Sequence, residues 1–151
     1  MKLMKYYSYE EFKNDTNKLL KQVEPLEVDA IIGIARGGLA LAHCMSEGLD
    51  IRNVQTLRTE LYDDTQKRQS ITIHNDCKLD SVKKVLVVDD ISDSGDTLDA
   101  VMKALKQKHK DIEFLSATLF YKKTSIYKPD FWINESNEWI EFFWERDFSY
   151  N

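Results

Sequence analysis

Hydrophobic and polar positions along the chain switch repeatedly between two periods. Ser8 and Glu11 have the spacing of a capping box, and Phe12, Thr16, Leu19, Leu20 and Val23 then share one helical face, which Pro25 ends. Asp29 to Ala35 is a short, continuous apolar run, as in a strand buried on both faces. Arg36-Gly37-Gly38 follows as a turn, and Leu39 to Leu49 reads as a helix ending near Gly48. Asn53 to Leu61 alternates like a strand. Tyr62 to Ser70 is polar and reads as a loop, after which Ile71 to His74 resumes a strand. Lys84 to Val88 predicts another buried strand. Thr97 to Lys108 predicts an amphipathic helix with Leu98, Val101, Met102 and Leu105 on one face. Phe114 to Tyr121 and Phe131 to Ile133 are further strands, before a short aromatic tail. Strands alternating with helices imply an α/β fold with a mostly parallel, Rossmann-like sheet flanked by helices.

Composition narrows the function classes. The 151 residues suit about one domain, with neither an internal repeat nor a low-complexity segment. The net charge of −5 argues against a nucleic-acid face, which is usually basic. No apolar run approaches a membrane span, and the first residues lack a signal-peptide core, so a soluble, cytoplasmic protein is expected. Cys44 and Cys77, with His43, His74 and His109, show no metal-ligand spacing.

The chemistry concentrates in VLVVDDISDSGDT, Val85 to Thr97. Ligands of such folds bind at the carboxyl ends of the strands, and Asp89 and Asp90 are expected at such an end. Ser92 to Thr97 then makes a tight turn opening onto a helix, whose N-terminus offers free N–H groups to a phosphate. Ser94 and Thr97 add hydroxyl donors, and Gly95 lets the backbone approach closely. Paired acids would repel a phosphate. They suit ribose hydroxyls and a magnesium ion, held directly or through water. The ligand implied is a phosphorylated ribose. Taken singly, an Asp-Asp pair or a Ser-Gly turn is an ordinary strand end or helix cap. The whole string after an apolar strand is far more specific.

Other segments fit that ligand. The Arg36 guanidinium is a bidentate phosphate partner, and Gly37 and Gly38 permit an unusual backbone whose amides can face phosphate oxygens. Lys67 and Arg68 sit in a polar stretch too long for a tight hairpin. Phe120-Tyr121-Lys122-Lys123 ends a strand on the ligand side. Trp139 to Glu145 carries too many aromatics for one buried stripe, and its rings suit stacking on a flat base.

These motifs together resemble the type I phosphoribosyltransferases. VLVVDDISDSGDT is similar to their phosphoribosyl-pyrophosphate (PRPP) signature. IIGIARGGLALA resembles their pyrophosphate loop, YDDTQKR their mobile catalytic loop and NEWIEFFWE their C-terminal hood. The likeness spans most of the chain and is greatest to the small xanthine–guanine/hypoxanthine branch.

The resemblance implies one phosphoribosyltransferase domain over 1–151, with hood elements from about 122 onward. It implies transfer of phosphoribose from PRPP to guanine, xanthine or hypoxanthine in purine salvage, with Mg2+ as cofactor. PRPP would be bound by Asp89, Asp90, Ser94, Gly95, Asp96 and Thr97, with Asp89 and Asp90 also as metal ligands and the Asp96 carboxylate turned away from the phosphate. The pyrophosphate would meet Arg36, Gly37, Gly38 and Arg68, with Lys67 as the alternative to Arg68. Asp93 would accept a proton near N7 of the base. Lys122, or Lys123 beside it, would donate to the 6-oxo group, Trp139 would stack on the purine, Ile140 would offer backbone groups, and Glu145 would receive a base N–H. Glu145 stands where the family more often has Asp, and Lys123 where it usually has Pro. The family is commonly dimeric or tetrameric, so a homo-oligomer is expected. Two alternatives stay open: a phosphoribosyltransferase for another base, and a PRPP-sensing module without turnover.

Overall fold

The two most apolar stretches of the chain lie side by side. β2 (Ala30–Ala35) and β5 (Lys84–Ser92) pair in parallel, from Ala30 opposite Val85 to Gly33 opposite Val88. The computed structural model describes residues 3–64 and 68–150. Around the central pair, β3 (Val54–Asp64), β4 (Arg68–Ile73), β6 (Glu113–Tyr121) and β7 (Phe131–Glu135) complete a six-stranded sheet of order β4-β3-β2-β5-β6-β7. All neighbours are parallel except β4, which is antiparallel to β3.

Helices cover both faces of this sheet, and that is why its two central strands carry continuous apolar runs, Ala30 to Ala35 and Val85 to Val88, rather than alternating ones. α1 (Tyr9–Val23) and α2 (Leu39–Leu49) bury Phe12, Leu19, Leu41 and Met45 against Ile31, Leu86 and Val88. α3 (Asp96–Lys108) buries Leu98, Val101, Met102 and Leu105 against Ile32, Val85 and Val87 on the other side. The capping box forms: the Ser8 hydroxyl accepts from the Glu11 N–H at 3.1 Å, and the Ser8 N–H donates to Glu11 Oε2 at 2.9 Å. Pro25 sits in a 3-10 turn, Glu24–Leu26, just past α1. No described helix is long and apolar enough to cross a membrane.

Two expectations change, and a third element is one that the sequence leaves unassigned. The polar stretch Tyr62 to Ser70 is not a loop for most of its length. β3 runs on to Asp64, β4 begins at Arg68, and Tyr62 faces Ser70, Asp63 faces Gln69 and Asp64 faces Arg68 in an antiparallel hairpin. Backbone pairing continues β3 here although Leu61 and Tyr62 are both exposed. Polar composition therefore says little about its structure. Second, the central strand does not stop at Val88. β5 keeps its ladder with β6 through Ser92, with Asp89 opposite Thr118 and Ile91 opposite Phe120, so the acids are part of a strand.

Third, the first residues form a strand that their composition does not announce. β1 (Met4–Tyr7) pairs in parallel with β8 (Trp139–Phe142) in a separate two-stranded sheet, and α4 (Phe143–Arg146) follows β8. Tyr7 is buried while Met4 is exposed, so one anchored side chain and a backbone ladder define β1, not an apolar stripe.

Candidate active site

β2 turns outward at Ala35, whereas β5 continues with β6 beside it. The crevice between their carboxyl ends is where connections leave the sheet in opposite directions, the usual ligand position in open α/β sheets. Arg36-Gly37-Gly38 crosses this gap, and the Ala35–Arg36 peptide is cis. Gly38 lies on β5: a Cβ there would stand 3.0 Å from the Asp89 Cα. Gly37 lies against the Asp90 carboxylate, where a Cβ would stand 2.7 Å from Cγ. Side chains are excluded from both positions by the strand beneath.

The crevice opens into a cleft of about 630 Å³ lined by Arg36, Gly37, Asp89, Asp90, Thr97 and Glu145, among others. Thr59, Trp144 and Phe148 also line it, and none of these three was singled out by sequence. Trp144 stacks on Phe142, with ring centroids 4.7 Å apart, and meets Phe12 edge-on at 5.4 Å, so it is both packing and cleft wall.

Asp89 and Asp90 are held by their own backbone. The Asp90 N–H donates to Asp89 Oδ1 and the Ile91 N–H to Asp90 Oδ1, both at 2.8 Å. Neither carboxylate makes an ion pair among the described residues. Burial, and then the charge of Asp90, hold the Asp89 carboxyl well above the usual carboxylate range. Burial likewise raises Asp90, to about 6. A buried carboxylate beside a half-buried one, neither paired with a cationic side chain among the described residues, is a donor set suited to a hard divalent ion. No group of three or more acidic, His or Cys residues is gathered among the described residues, so such an ion would complete its shell with water and ligand oxygens, as Mg2+ commonly does.

Past Ser92 the chain bends into the phosphate-type turn. Gly95 takes φ 87°, a left-handed conformation that disfavours a side chain, and a Cβ there would stand 2.7 Å from the Tyr127 N. Ser94, Gly95, Thr97 and Leu98 line a cavity of about 220 Å³ at the start of α3, continuous in sequence with Asp89 to Asp93 along the same wall. The first N–H groups of α3 have no intrahelical acceptor, so the helical end of this cavity offers donors to an anion. Asp96 does not line it; its N–H donates to Ser94 Oγ at 3.2 Å. The segment after β6 is bolted onto the turn. The Ile126 N–H donates to Ser94 O at 2.8 Å, the Lys122 N–H to Ser92 O at 3.1 Å, and the hydroxyls of Ser92 and Ser125 meet at 2.8 Å.

A smaller cavity of about 100 Å³ adjoins the acids and gathers Asp93, Lys122, Trp139, Ile140 and Glu145. Lys122 Nζ lies 2.9 Å from Asp93 Oδ1. Lys123 points elsewhere and pairs with Glu135 at 3.6 Å. The Trp139 N–H donates to Leu3 O in the β1–β8 ladder. Because alternate residues of a parallel strand face its partner, the amide and carbonyl of Ile140 face the open edge of β8. Glu145 Oε2 accepts from the Phe142 N–H at 3.4 Å, which fixes the carboxylate at the start of α4. Arg68 opens β4 at the hairpin, but its side chain and the whole of Lys67 lie outside the described residues.

The phosphoribosyl transferase domain model matches residues 5–150. The chain belongs to this family. Like this phosphoribosyl transferase domain, a solved Helicobacter pylori xanthine-guanine-hypoxanthine phosphoribosyltransferase has the same fold, with a TM-score of 0.85 and 39% identity over 97% of this chain and 95% of that one. A purine phosphoribosyltransferase from Pyrococcus horikoshii superposes with a TM-score of 0.85 at 28% identity, covering 98% and 97% of the two chains. The xanthine-guanine phosphoribosyltransferase of Idiomarina loihiensis is 30% identical over 149 residues, 96% of this chain and 89% of the relative.

Proposed function

We propose that the protein is a purine salvage enzyme transferring phosphoribose from PRPP to a 6-oxopurine, guanine, xanthine or hypoxanthine, to give the nucleoside 5′-monophosphate and pyrophosphate. The observation that carries this is the meeting of two cavities on one strand end. Asp89 to Asp93 borders the turn suited to a phosphate on one side and the aromatic, Lys122-lined cavity on the other.

Ser94 to Thr97 bind the 5′-phosphate at the start of α3, with Asp96 contributing through its backbone. Asp89 and Asp90 accept hydrogen bonds from the ribose hydroxyls and would hold Mg2+, which when bound neutralises charge on the pyrophosphate. Arg36, the amides of Gly37 and Gly38, and Arg68 from the hairpin receive the pyrophosphate. The C1′–O bond breaks with its electron pair leaving on pyrophosphate, and the N9 lone pair of the purine forms the new bond to C1′. The positive charge this leaves on the purine is relieved when Asp93 takes the N7 proton. Lys122 donates to the 6-oxo oxygen, Trp139 stacks on the ring, Ile140 offers backbone groups at the free edge of β8, and Glu145 accepts a base N–H. We further propose a single domain over 1–151, with the hood from about 122, working as a cytoplasmic homo-oligomer, dimer or tetramer.

The test is pyrophosphate release from PRPP and Mg2+ with guanine, xanthine, hypoxanthine, adenine and uracil offered separately. Turnover with one or more of the 6-oxopurines, and little with adenine or uracil, is expected. PRPP binding without pyrophosphate release for every base would identify a sensing module instead.

A further inference from the structure

The cavity assigned above to the purine has one wall that is not built on the main sheet. Trp139, Ile140 and Phe142 belong to β8, whose only strand partner among the described residues is β1. The register sets Met4 opposite Trp139, Lys5 opposite Ile140 and Tyr7 opposite Phe142. The phosphate turn, by contrast, stands on β5 and α3. The two halves of the proposed site therefore rest on different supports.

Tyr7 is the joint between those supports. It is 1% exposed, and its ring meets Phe142 of the base wall at 5.6 Å and Phe120 of the main sheet at 4.9 Å, both edge-on. Its hydroxyl donates to Asp15 Oδ2 on α1 at 2.6 Å. The same oxygen accepts from Asn134 Nδ2 on β7 at 2.8 Å, and that amide also donates to Leu119 O on β6 at 3.2 Å. Asp15 is buried and makes no ion pair among the described residues, so these two donors are what hold its carboxylate. A buried acceptor of this kind fixes its donors strongly, because loss of one leaves polar surface unsatisfied.

We propose that Tyr7, through Asp15 and Asn134, is a positioning residue for the purine wall: it sets where β8 stands relative to β5 without touching either substrate. This rests on the base cavity assigned under the proposed function. The Tyr7 ring supplies packing on both sides, and its hydroxyl fixes β1, and with it β8, to α1 and β7. The phosphate turn, built on β5 and α3, does not rest on this joint.

The experiment compares Tyr7→Phe with the unaltered protein, well below the melting temperature of both. Tyr7→Phe should raise KM for the purine about fivefold, the factor equivalent to one ordinary hydrogen bond, and leave KM for PRPP unchanged. Asp15→Leu should reproduce that split. Asp15→Asn keeps an oxygen acceptor for both donors and should restore values close to the original. Amide hydrogen exchange supplies a readout independent of turnover: residues 139–142 should exchange faster in Tyr7→Phe, with 85–92 unchanged. The proposal is overturned if both KM values stay put or move together, or if exchange at 139–142 is unaltered. If the unaltered protein turns over no purine, the proposed function fails, and the exchange experiment alone decides the role of Tyr7.

Discussion

Lys122 Nζ rests 2.9 Å from Asp93 Oδ1, so the ammonium assigned to the purine oxygen and the carboxylate assigned to its proton are partners before any base arrives. Lys122 is largely covered, while Asp93 is half open to solvent. A base entering this cavity would meet a donor and an acceptor already set side by side.

Removing the carboxylate charge should separate chemistry from binding. Asp93→Asn is expected to lower kcat by about 10²–10⁴-fold, the usual contribution of a general base, with PRPP affinity little changed. Steady-state kinetics with PRPP titration by calorimetry checks both halves. Unaltered kcat in a folded variant would remove Asp93 from the mechanism.

Lys122→Met should act on the base instead. A charged donor lost from a hydrogen bond costs about 1.5–3 kcal/mol, so kcat/KM for the purine should fall by roughly 10- to 100-fold. Lys123→Met, which breaks only the pair with Glu135, should leave kcat/KM within about twofold, as surface ion pairs contribute little. A larger loss at Lys123 than at Lys122 would reverse the assignment.

The buried acids should make the free protein less stable near neutrality than in mild acid. Asp90 holds its proton up to about 6 in the folded chain, above the ordinary carboxylate value of about 4 in the unfolded one. Between those limits the folded state binds more protons, so this contribution to stability falls as pH rises through the window. Asp90→Asn keeps an oxygen to accept the Ile91 N–H and removes the charge. It is expected to raise Tm at pH 7.5 by a few degrees, with the gain vanishing toward pH 4. PRPP binding should be lost in the same variant. Scanning calorimetry across pH 4–8 reads the first effect, and a Tm gain independent of pH would contradict it.

Gly37→Ala probes the contact between the arginine turn and β5. The added methyl would stand 2.7 Å from Asp90 Cγ, so either the turn or the carboxylate must move. A displacement near 1 Å at a reacting site can cost about 10²-fold, and kcat/KM for PRPP should fall on that order. Gly95→Ala meets a different obstacle, a φ of 87° and the Tyr127 N at 2.7 Å. Its expected signature is a stability loss of about 1–2 kcal/mol from left-handed backbone, seen by urea denaturation, together with weaker PRPP binding.

Legibility in the sequence followed burial. Ile31 to Ile34 and Val85 to Val88 are apolar on both faces because helices cover both, so composition alone marks them as central strands. The turn at Ser94 to Thr97 was legible because local chemistry, a left-handed glycine and short hydroxyl side chains before a helix, dictates it. The hairpin was not, since Leu61 and Tyr62 are exposed and their strand is continued by backbone pairing, which leaves no trace in side-chain type. β1 was missed for a related reason: its partner β8 lies far along the chain, and only Tyr7 pays for its order with buried surface. Asp15 is a charged residue type that is seldom buried, yet Tyr7 and Asn134 make it an interior acceptor. Pairings between distant segments decided each of these cases.

The parallel pairing of β1 with β8 also orders events during synthesis. Met4 waits for Trp139, and Tyr7 for Phe142, so β1 has no partner strand until residues 139–142 have been made. The strands and helices that carry the phosphate turn are all translated earlier and can assemble around β2 and β5 beforehand. A nascent chain thus completes the segments of its grip on a sugar phosphate before those of its shelf for a base.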